Sequence, residues 1–168
     1  RMIKAIDEEG AVTAYTYDEN GRLTQMTNAL GFSTSFEYDA MDRVVKVTDA
    51  KGNATTYTYD AVGNVSTETN AKGVTTSYVY DANYNLTSLT DAAGTSTYLY
   101  DAMDRVVGQT DRRGNTQWFR YDAIGRITAV RDKNGNLTEY IYDGNGNIVK
   151  TIDALGTCLL YTSDAADD

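Results

Sequence analysis

Apolar and polar residues alternate along this chain in strand-length segments, and each segment ends on a cluster of Asp, Asn and Gly. In the stretch NATTYTYD (Asn53 to Asp60), Thr55, Tyr57 and Tyr59 fall on one face of an extended strand, and Ala54, Thr56 and Thr58 on the other. Partner segments open on an apolar residue, namely Leu23, Val44, Val65, Leu86, Val106, Ile127 and Ile148. Their later positions vary, with Met26, Val47 and Leu89 aligned against Glu68 and Gln109. Alternation interrupted by turn signals every ten or so residues predicts serial β-hairpins, and no helical period competes with it.

The hairpins repeat. The octapeptide YDAMDRVV occurs twice, from Tyr38 and again from Tyr100, because it belongs to a larger unit. Tyr-Asp pairs fall at Tyr17-Asp18, Tyr38-Asp39, Tyr59-Asp60, Tyr80-Asp81, Tyr100-Asp101, Tyr121-Asp122 and Tyr142-Asp143, in steps of 21, 21, 21, 20, 21 and 21 residues. A second aromatic stands two residues before each: Tyr15, Phe36, Tyr57, Tyr78, Tyr98, Phe119 and Tyr140. The single short step places a one-residue loss between Gly94 and Tyr98. Each unit carries two Asp-x-x-Gly signals, such as Asp60 to Gly63 and Asp111 to Gly114, which predict type I turns closed by a glycine-dependent bulge. Asp replaces the glycine at Asp42 and Asp104 and tolerates the left-handed region. Tyr84 fits there less well, so its turn is expected to be strained or differently shaped.

A lone hairpin is marginal in water, so neighbours must dock edge to edge. The expected fold is all-β: about seven tandem hairpins of roughly 21 residues in one curved antiparallel sheet, with two aromatic columns crossing it at every second strand. The Tyr and Asp of each pair, with the turn glycines, are expected to set this fold. The array is expected to be incomplete at both ends.

Composition supports that picture, with 14 Tyr and 14 Gly among 168 residues, no Pro and no His. No segment is apolar for long enough to form a membrane helix. The net charge of −9 argues against a nucleic-acid surface, and aspartates spaced at turns account for it. The last eleven residues, CLLYTSDAADD (Cys158 to Asp168), match no other part of the chain and resemble an in-frame translation of a sequencing-library transposase adapter. They are expected to lie outside the fold, leaving residues 1–157 as the array. Setting them aside removes the one Cys and three acids, for a net charge of −6, and with the Cys any disulfide framework.

The segments GNATTYTYDAVGNV (Gly52 to Val65) and GNTQWFRYDAIGRITAV (Gly114 to Val130) closely resemble the Tyr-Asp (YD) repeats of Rhs proteins. Related repeats occur in wall-associated polymorphic toxins, in the shell subunits of insecticidal toxin complexes and in teneurins. The resemblance covers about seven units, essentially Arg1 to Thr157. It implies a wall segment of a hollow β-shell that encloses a variable, usually toxic, C-terminal domain, in a protein that is secreted or displayed at the cell surface. The implied partners are that cargo and the neighbouring repeats. The self-cleaving Asp-Pro-x-x-Gly-like signature that usually ends such shells has no counterpart here, since the chain contains no Pro.

Candidate chemistry is sparse. Without His, and with its one Cys in the tail, the array cannot assemble Ser-His-Asp, Cys-His or His-ligated zinc sites. Every recurring Asp has a turn to stabilise, so no residue is assigned a catalytic role and no cofactor is expected. The loops DKNGN (Asp132 to Asn136) and DGNGN (Asp143 to Asn147) offer oxygen ligands of the type calcium prefers, but Asn-Gly and Asp-Gly pairs suit turns for backbone reasons alone. The remaining candidate is Trp118, the single Trp, which points opposite to Phe119 and Tyr121 among Arg112, Arg113 and Arg120. An exposed ring there would stack on sugars, so the alternative function is a carbohydrate-binding repeat module meeting cell-surface glycan. The competing reading is that Trp118 fills the shell interior.

Overall fold

The computed structural model describes residues 1–6, 8 and 10–161. Every described element is a β-strand or a turn, so the all-β hairpin array is what forms. Two compact units divide the chain, residues 1–79 and residues from Tyr80 onward. The first carries β1 (Met2–Ile6), β2 (Val12–Tyr17), β3 (Leu23–Thr27), β4 (Ser33–Tyr38), β5 (Val44–Thr48), β6 (Ala54–Tyr59), β7 (Val65–Thr69) and nearly all of β8 (Thr75–Tyr80). The second carries β9 (Leu86–Asp91), β10 (Gly94–Tyr100), β11 (Val106–Thr110), β12 (Thr116–Tyr121), β13 (Ile127–Arg131), β14 (Leu137–Tyr142), β15 (Ile148–Ile152) and β16 (Cys158–Leu160). Within each unit the strands lie in chain order, each antiparallel to the one before.

The turns take the predicted form. The amide of Asp60 donates to the carbonyl of Asn64 at 2.9 Å, and that of Gly63 donates to the carbonyl of Asp60 at 3.2 Å. Gly63 has φ of 101°, the left-handed side that closes such a loop. Tyr84 adopts the same geometry with φ of 66°, and its amide reaches the carbonyl of Asp81 at 3.1 Å. That turn is strained but not reshaped. The one-residue loss falls directly after Gly94. There Asp91 pairs with Gly94 in the ladder and only Ala92 and Ala93 form the loop, so the missing residue shortens a three-residue turn to two.

A feature the alternation concealed recurs inside the hairpins that end in Tyr-Asp. Tyr59 pairs with Val65 but Thr58 pairs with Thr67, so Ser66 is an extra residue on its strand. The same bulge follows Tyr17, Tyr38, Tyr100, Tyr121 and Tyr142. It places apolar residues three apart, such as Leu23 and Met26, opposite Tyr17 and Tyr15 on one face. Between hairpins the ladder is short: β3 and β4 pair only from Gln25↔Ser35 to Thr27↔Ser33.

Neither unit has a core in the ordinary sense. Among the described residues only Ser96, Gly108 and Ala129 are buried, and the tyrosines of the ladder are half-buried. Cross-strand hydroxyl pairs close several hairpins, as at Thr27–Ser33 (2.8 Å), Thr69–Thr75 (2.8 Å) and Thr110–Thr116 (2.9 Å).

The expectation for Cys158 to Asp168 needs correction at its start. Ile152 pairs with Cys158, Thr151 with Leu159 and Lys150 with Leu160, and the Tyr161 amide donates to Val149 at 2.9 Å. The turn at Asp153 returns the chain alongside β15, whose edge offers unpaired donors and acceptors. Backbone pairing takes little account of side-chain identity, so Leu159 and Leu160 join the edge while staying exposed. Residues 162–168 lie outside the described residues.

Relief of the Tyr84 strain is testable. Tyr84 is 62% exposed, so little packing is lost on truncation. Tyr84→Gly is expected to stabilise the protein by about 1 kcal/mol, read as a rise in melting temperature. A fall in melting temperature would show that the ring packs more than it strains.

Candidate functional site

The recurring chemistry of the repeat is assembled at the end of each Tyr-Asp strand. Each aspartate first organises its own turn. Asp122 Oδ1 accepts the amides of Ile124 (3.0 Å) and Arg126 (2.9 Å). Asp18, Asp39, Asp60, Asp81, Asp101 and Asp143 do the same in their loops. The second oxygen then takes a side chain four residues on. That partner is Arg22, Arg43, Arg105 or Arg126 in some repeats, at 2.6–2.7 Å, and Asn64, Asn85 or Asn147 in others.

Tyr38, Tyr59, Tyr100, Tyr121 and Tyr142 act on the preceding repeat. The hydroxyl of Tyr38 donates to the carbonyl of Leu23 at 2.8 Å, Tyr59 to Val44 at 2.6 Å, Tyr100 to Leu86 at 2.8 Å, Tyr121 to Val106 at 2.8 Å and Tyr142 to Ile127 at 2.6 Å. These carbonyls sit beyond the end of the short inter-hairpin ladder, where a half-buried acceptor would otherwise lack a partner. Burial raises the pKa of the Tyr100 phenol, with the Asp81 charge adding to it, so the donor stays protonated.

Arginine joins the two devices. Arg43 lies over the Tyr59 ring at 4.4 Å while it binds Asp39, and Arg126 lies over Tyr142 at 4.6 Å while it binds Asp122. Arg22 and Arg105 cover Tyr38 and Tyr121 at 5.0 and 4.7 Å. Arg105 also donates to the carbonyl of Asp122 at 2.9 Å. Asp18–Arg22–Tyr38 leads into Asp39–Arg43–Tyr59, and Asp101–Arg105–Tyr121 into Asp122–Arg126–Tyr142. The sequence showed this donor column as Arg or Asn four residues after each paired Asp, but its reach into the next repeat was not read from it.

The same column explains the two aspartates at glycine positions. Asp42 accepts Arg22 at 2.7 Å, and Asp104 accepts Asn83 at 2.9 Å and Asn85 at 2.6 Å. Each recruits a donor from the repeat before it, so tolerance of the backbone angle was only part of the reason.

Trp118 is on the opposite face from Phe119 and Tyr121, and is 44% exposed. It pairs with Gly108 on one side and Arg131 on the other. Of its expected basic neighbours only Arg120 shares its groove, a depression of about 370 Å³ with Ala129, Arg131 and Leu137. Arg112 is ion-paired with Asp91, and with Arg113 it lines a separate depression beside Tyr98. The loops at Asp132 and Asp143 spend their carboxylates on Asn136 and Asn147. Among the described residues no three His, Cys, Asp or Glu converge as a metal site would require.

The carboxyls of Asp18, Asp39, Asp101 and Asp122 titrate below the ordinary aspartate value of 3.8. In Asp18 and Asp39 the largest cause is the amide four residues on, and in Asp101 it is the Arg105 side chain. In Asp122 partial desolvation pushes upward, and the Arg126 side chain and amide outweigh it. Folding therefore favours the ionised forms, a contribution complete above 3.8 and lost as pH falls through the lowered values. Melting temperature should be flat from neutrality to about pH 5 and drop below about pH 4. Asp122→Asn keeps the turn, as Asn28 and Asn70 do in theirs, but loses the charge on Arg126. Its deficit against wild type should shrink on acidification. A deficit constant down to about pH 2 would remove the charge from the account.

The sequence profile of the Teneurin YD-shell family matches residues 1–165. Among curated proteins none matches. Among solved structures, a Tc holotoxin pore from Photorhabdus luminescens is similar with TM-score 0.68 and 17% identity, over 88% of this chain and 9% of that one. The TcdB2–TccC3 complex gives the same values, and a form without its hypervariable C-terminal region gives TM-score 0.60 and 15% identity over 94% of this chain and 11% of that one. At these identities the likeness is one of fold, and the chain spans about a tenth of those proteins. The stitched tyrosines, the paired turn aspartates and the family match together place this chain in the teneurin YD-shell family, the family of Rhs-type YD repeats.

Proposed function

We propose that this chain is a wall segment of an encapsulating Rhs-type shell in a secreted or surface-displayed protein, and that the shell houses a C-terminal toxin or effector. The observation that carries this reading is the repeat-to-repeat stitch, in which Tyr, Asp and Arg side chains bond strands to each other and leave no recurring group for chemistry. Such an array extends by adding units, each bonded only to its neighbours, and suits a wall whose size is set by repeat number. The partners are the adjoining repeats and the cargo. No helix among the described residues is long and apolar enough to cross a membrane.

The test is limited proteolysis of the full-length parent protein. The C-terminal domain should resist cleavage while the wall is intact. Removing stitching hydroxyls with Tyr121→Phe and Tyr142→Phe should speed its cleavage, since each net hydrogen bond contributes about 1 kcal/mol. A C-terminal domain cleaved in the wild-type parent as fast as when expressed alone would defeat the shell reading.

A further inference from the structure

The repeat pattern changes across the repeats of Tyr121 and Tyr142, at several positions that face one another. Three residues before the paired tyrosine, the repeats from Tyr17 to Tyr100 carry Ala14, Ser35, Thr56, Ser77 and Thr97, that of Tyr121 carries Trp118, and the next carries Glu139. The ladder partner of Trp118 is Gly108, where other repeats have Gln25, Lys46, Thr67, Ser88, Ala129 or Lys150. On its other side stands Arg131, at the position of Thr27, Thr48, Thr69, Thr90 and Thr110 in the repeats before it and of Ile152 in the one after. Arg131 in turn faces Leu137, where Ser33, Thr75 and Thr116 supply hydroxyls elsewhere.

One departure makes room for another. A Cβ on Gly108 would lie 2.9 Å from Trp118 Cζ3, closer than real contacts allow. The indole therefore rests on the strand backbone and keeps its outer side open to solvent. A ring placed to fill an interior would gain by burial, whereas this one is supported from below and exposed above. Departures that fit one another across neighbouring strands mark a local demand other than folding.

The groove beside the ring has the size of a small-ligand site, about 370 Å³. Its floor is Ala129, one wall is Leu137, and Arg120 and Arg131 bring two guanidinium groups. Among the described residues neither arginine forms an ion pair, although the chain carries a net charge of −9. Arg131 Nε makes a long hydrogen bond, 3.4 Å to the carbonyl of Gly135. Glu139, the ladder partner of Ala129, carries an acceptor on the same face of the sheet.

We infer that this groove binds a pyranose bearing a carboxylate, as a uronic or sialic acid residue of a glycan does. The C–H face of the sugar lies on the indole, the carboxylate meets the guanidinium groups, and a ring hydroxyl donates to Glu139. A nucleotide also combines a flat ring with negative charge, but it concentrates two charges on one phosphate where an acidic sugar brings one carboxylate per ring, so the field of this acidic chain opposes it more strongly. The inference does not depend on the shell reading.

Trp118 is the single tryptophan, so its emission reports on the groove directly. The 168-residue chain is titrated with a hyaluronan hexasaccharide and with sialyllactose, with maltohexaose and AMP as controls. At least one acidic glycan should give a saturable change. Affinity should fall about tenfold or more for maltohexaose, for AMP and for the R120Q/R131Q double variant. Trp118→Thr restores the residue type of other repeats, so it should keep its melting temperature while calorimetry shows the loss of binding. The inference is overturned by no saturable response to either acidic glycan, by equal affinity for maltohexaose or AMP, or by binding that survives Trp118→Thr. Tighter binding of an acidic aromatic peptide than of either glycan would overturn it as well, in favour of a polypeptide occupant.

Discussion

A sheet one layer thick cannot hide its apolar residues behind a second layer, and that constraint shapes this protein. Among the described residues only three are buried, so the usual ledger of a packed interior is missing. Cohesion has to come from contacts lying in the plane of the sheet, between one hairpin and the next. The weakest place is where the inter-hairpin ladder stops after three pairs and the strand ends splay. The phenol hydroxyls are spent there, each on a carbonyl that the ladder leaves behind. A half-buried acceptor without a partner costs about 1–3 kcal/mol, so the tyrosine removes a penalty and adds ring area in the same move.

The aspartate and its donor solve the adjoining problem. A loop with a residue at positive φ must be held in shape, and the carboxylate does so by accepting amides two and four residues on. Its second oxygen is then free to fix an arginine whose plane covers the next tyrosine. An exposed ion pair alone is worth little, typically below 1 kcal/mol, and a cation–π contact at the surface about 0.5–1 kcal/mol. Neither would order a wall. Their value is in being shared, because one guanidinium joins a turn, a ring and a carbonyl of the following repeat. Where asparagine stands in that column, the turn is kept and the reach is lost.

Most of this architecture was legible because the repeat multiplies each signal. Strand faces, turn type and the Tyr-Asp columns followed from period two and from Asp-x-x-Gly spacing. The bulge did not, although apolar residues three apart at Leu23 and Met26, and at Val44 and Val47, were its trace. Alternation assumes one residue opposite one, and a bulge breaks that count. The arginine stitch was hidden for a different reason. It connects residues 16 to 17 apart through side-chain reach, as Arg22 meets Tyr38 and the carbonyl of Asp39, and no strand pattern encodes reach. For Trp118 the opposite face was readable from parity. Its true neighbours were not, because Arg112 and Arg113 are close in sequence but belong to a turn, whereas Arg131 arrives from the next strand.

An array bonded only between neighbours also tolerates local exceptions. Strain at Tyr84, a shortened turn at Gly94 and the Gly108–Trp118 exchange each disturb one hairpin and its contacts, while the same strand order continues on either side. In a protein with one shared core, a tryptophan in place of a threonine would displace many side chains at once. Here it needed only one glycine beneath it. Nearest-neighbour cohesion therefore lets a wall acquire a surface feature at a single repeat without renegotiating the rest. It is also why departures from the repeat, more than the repeat itself, are the places where this fold can carry chemistry of its own.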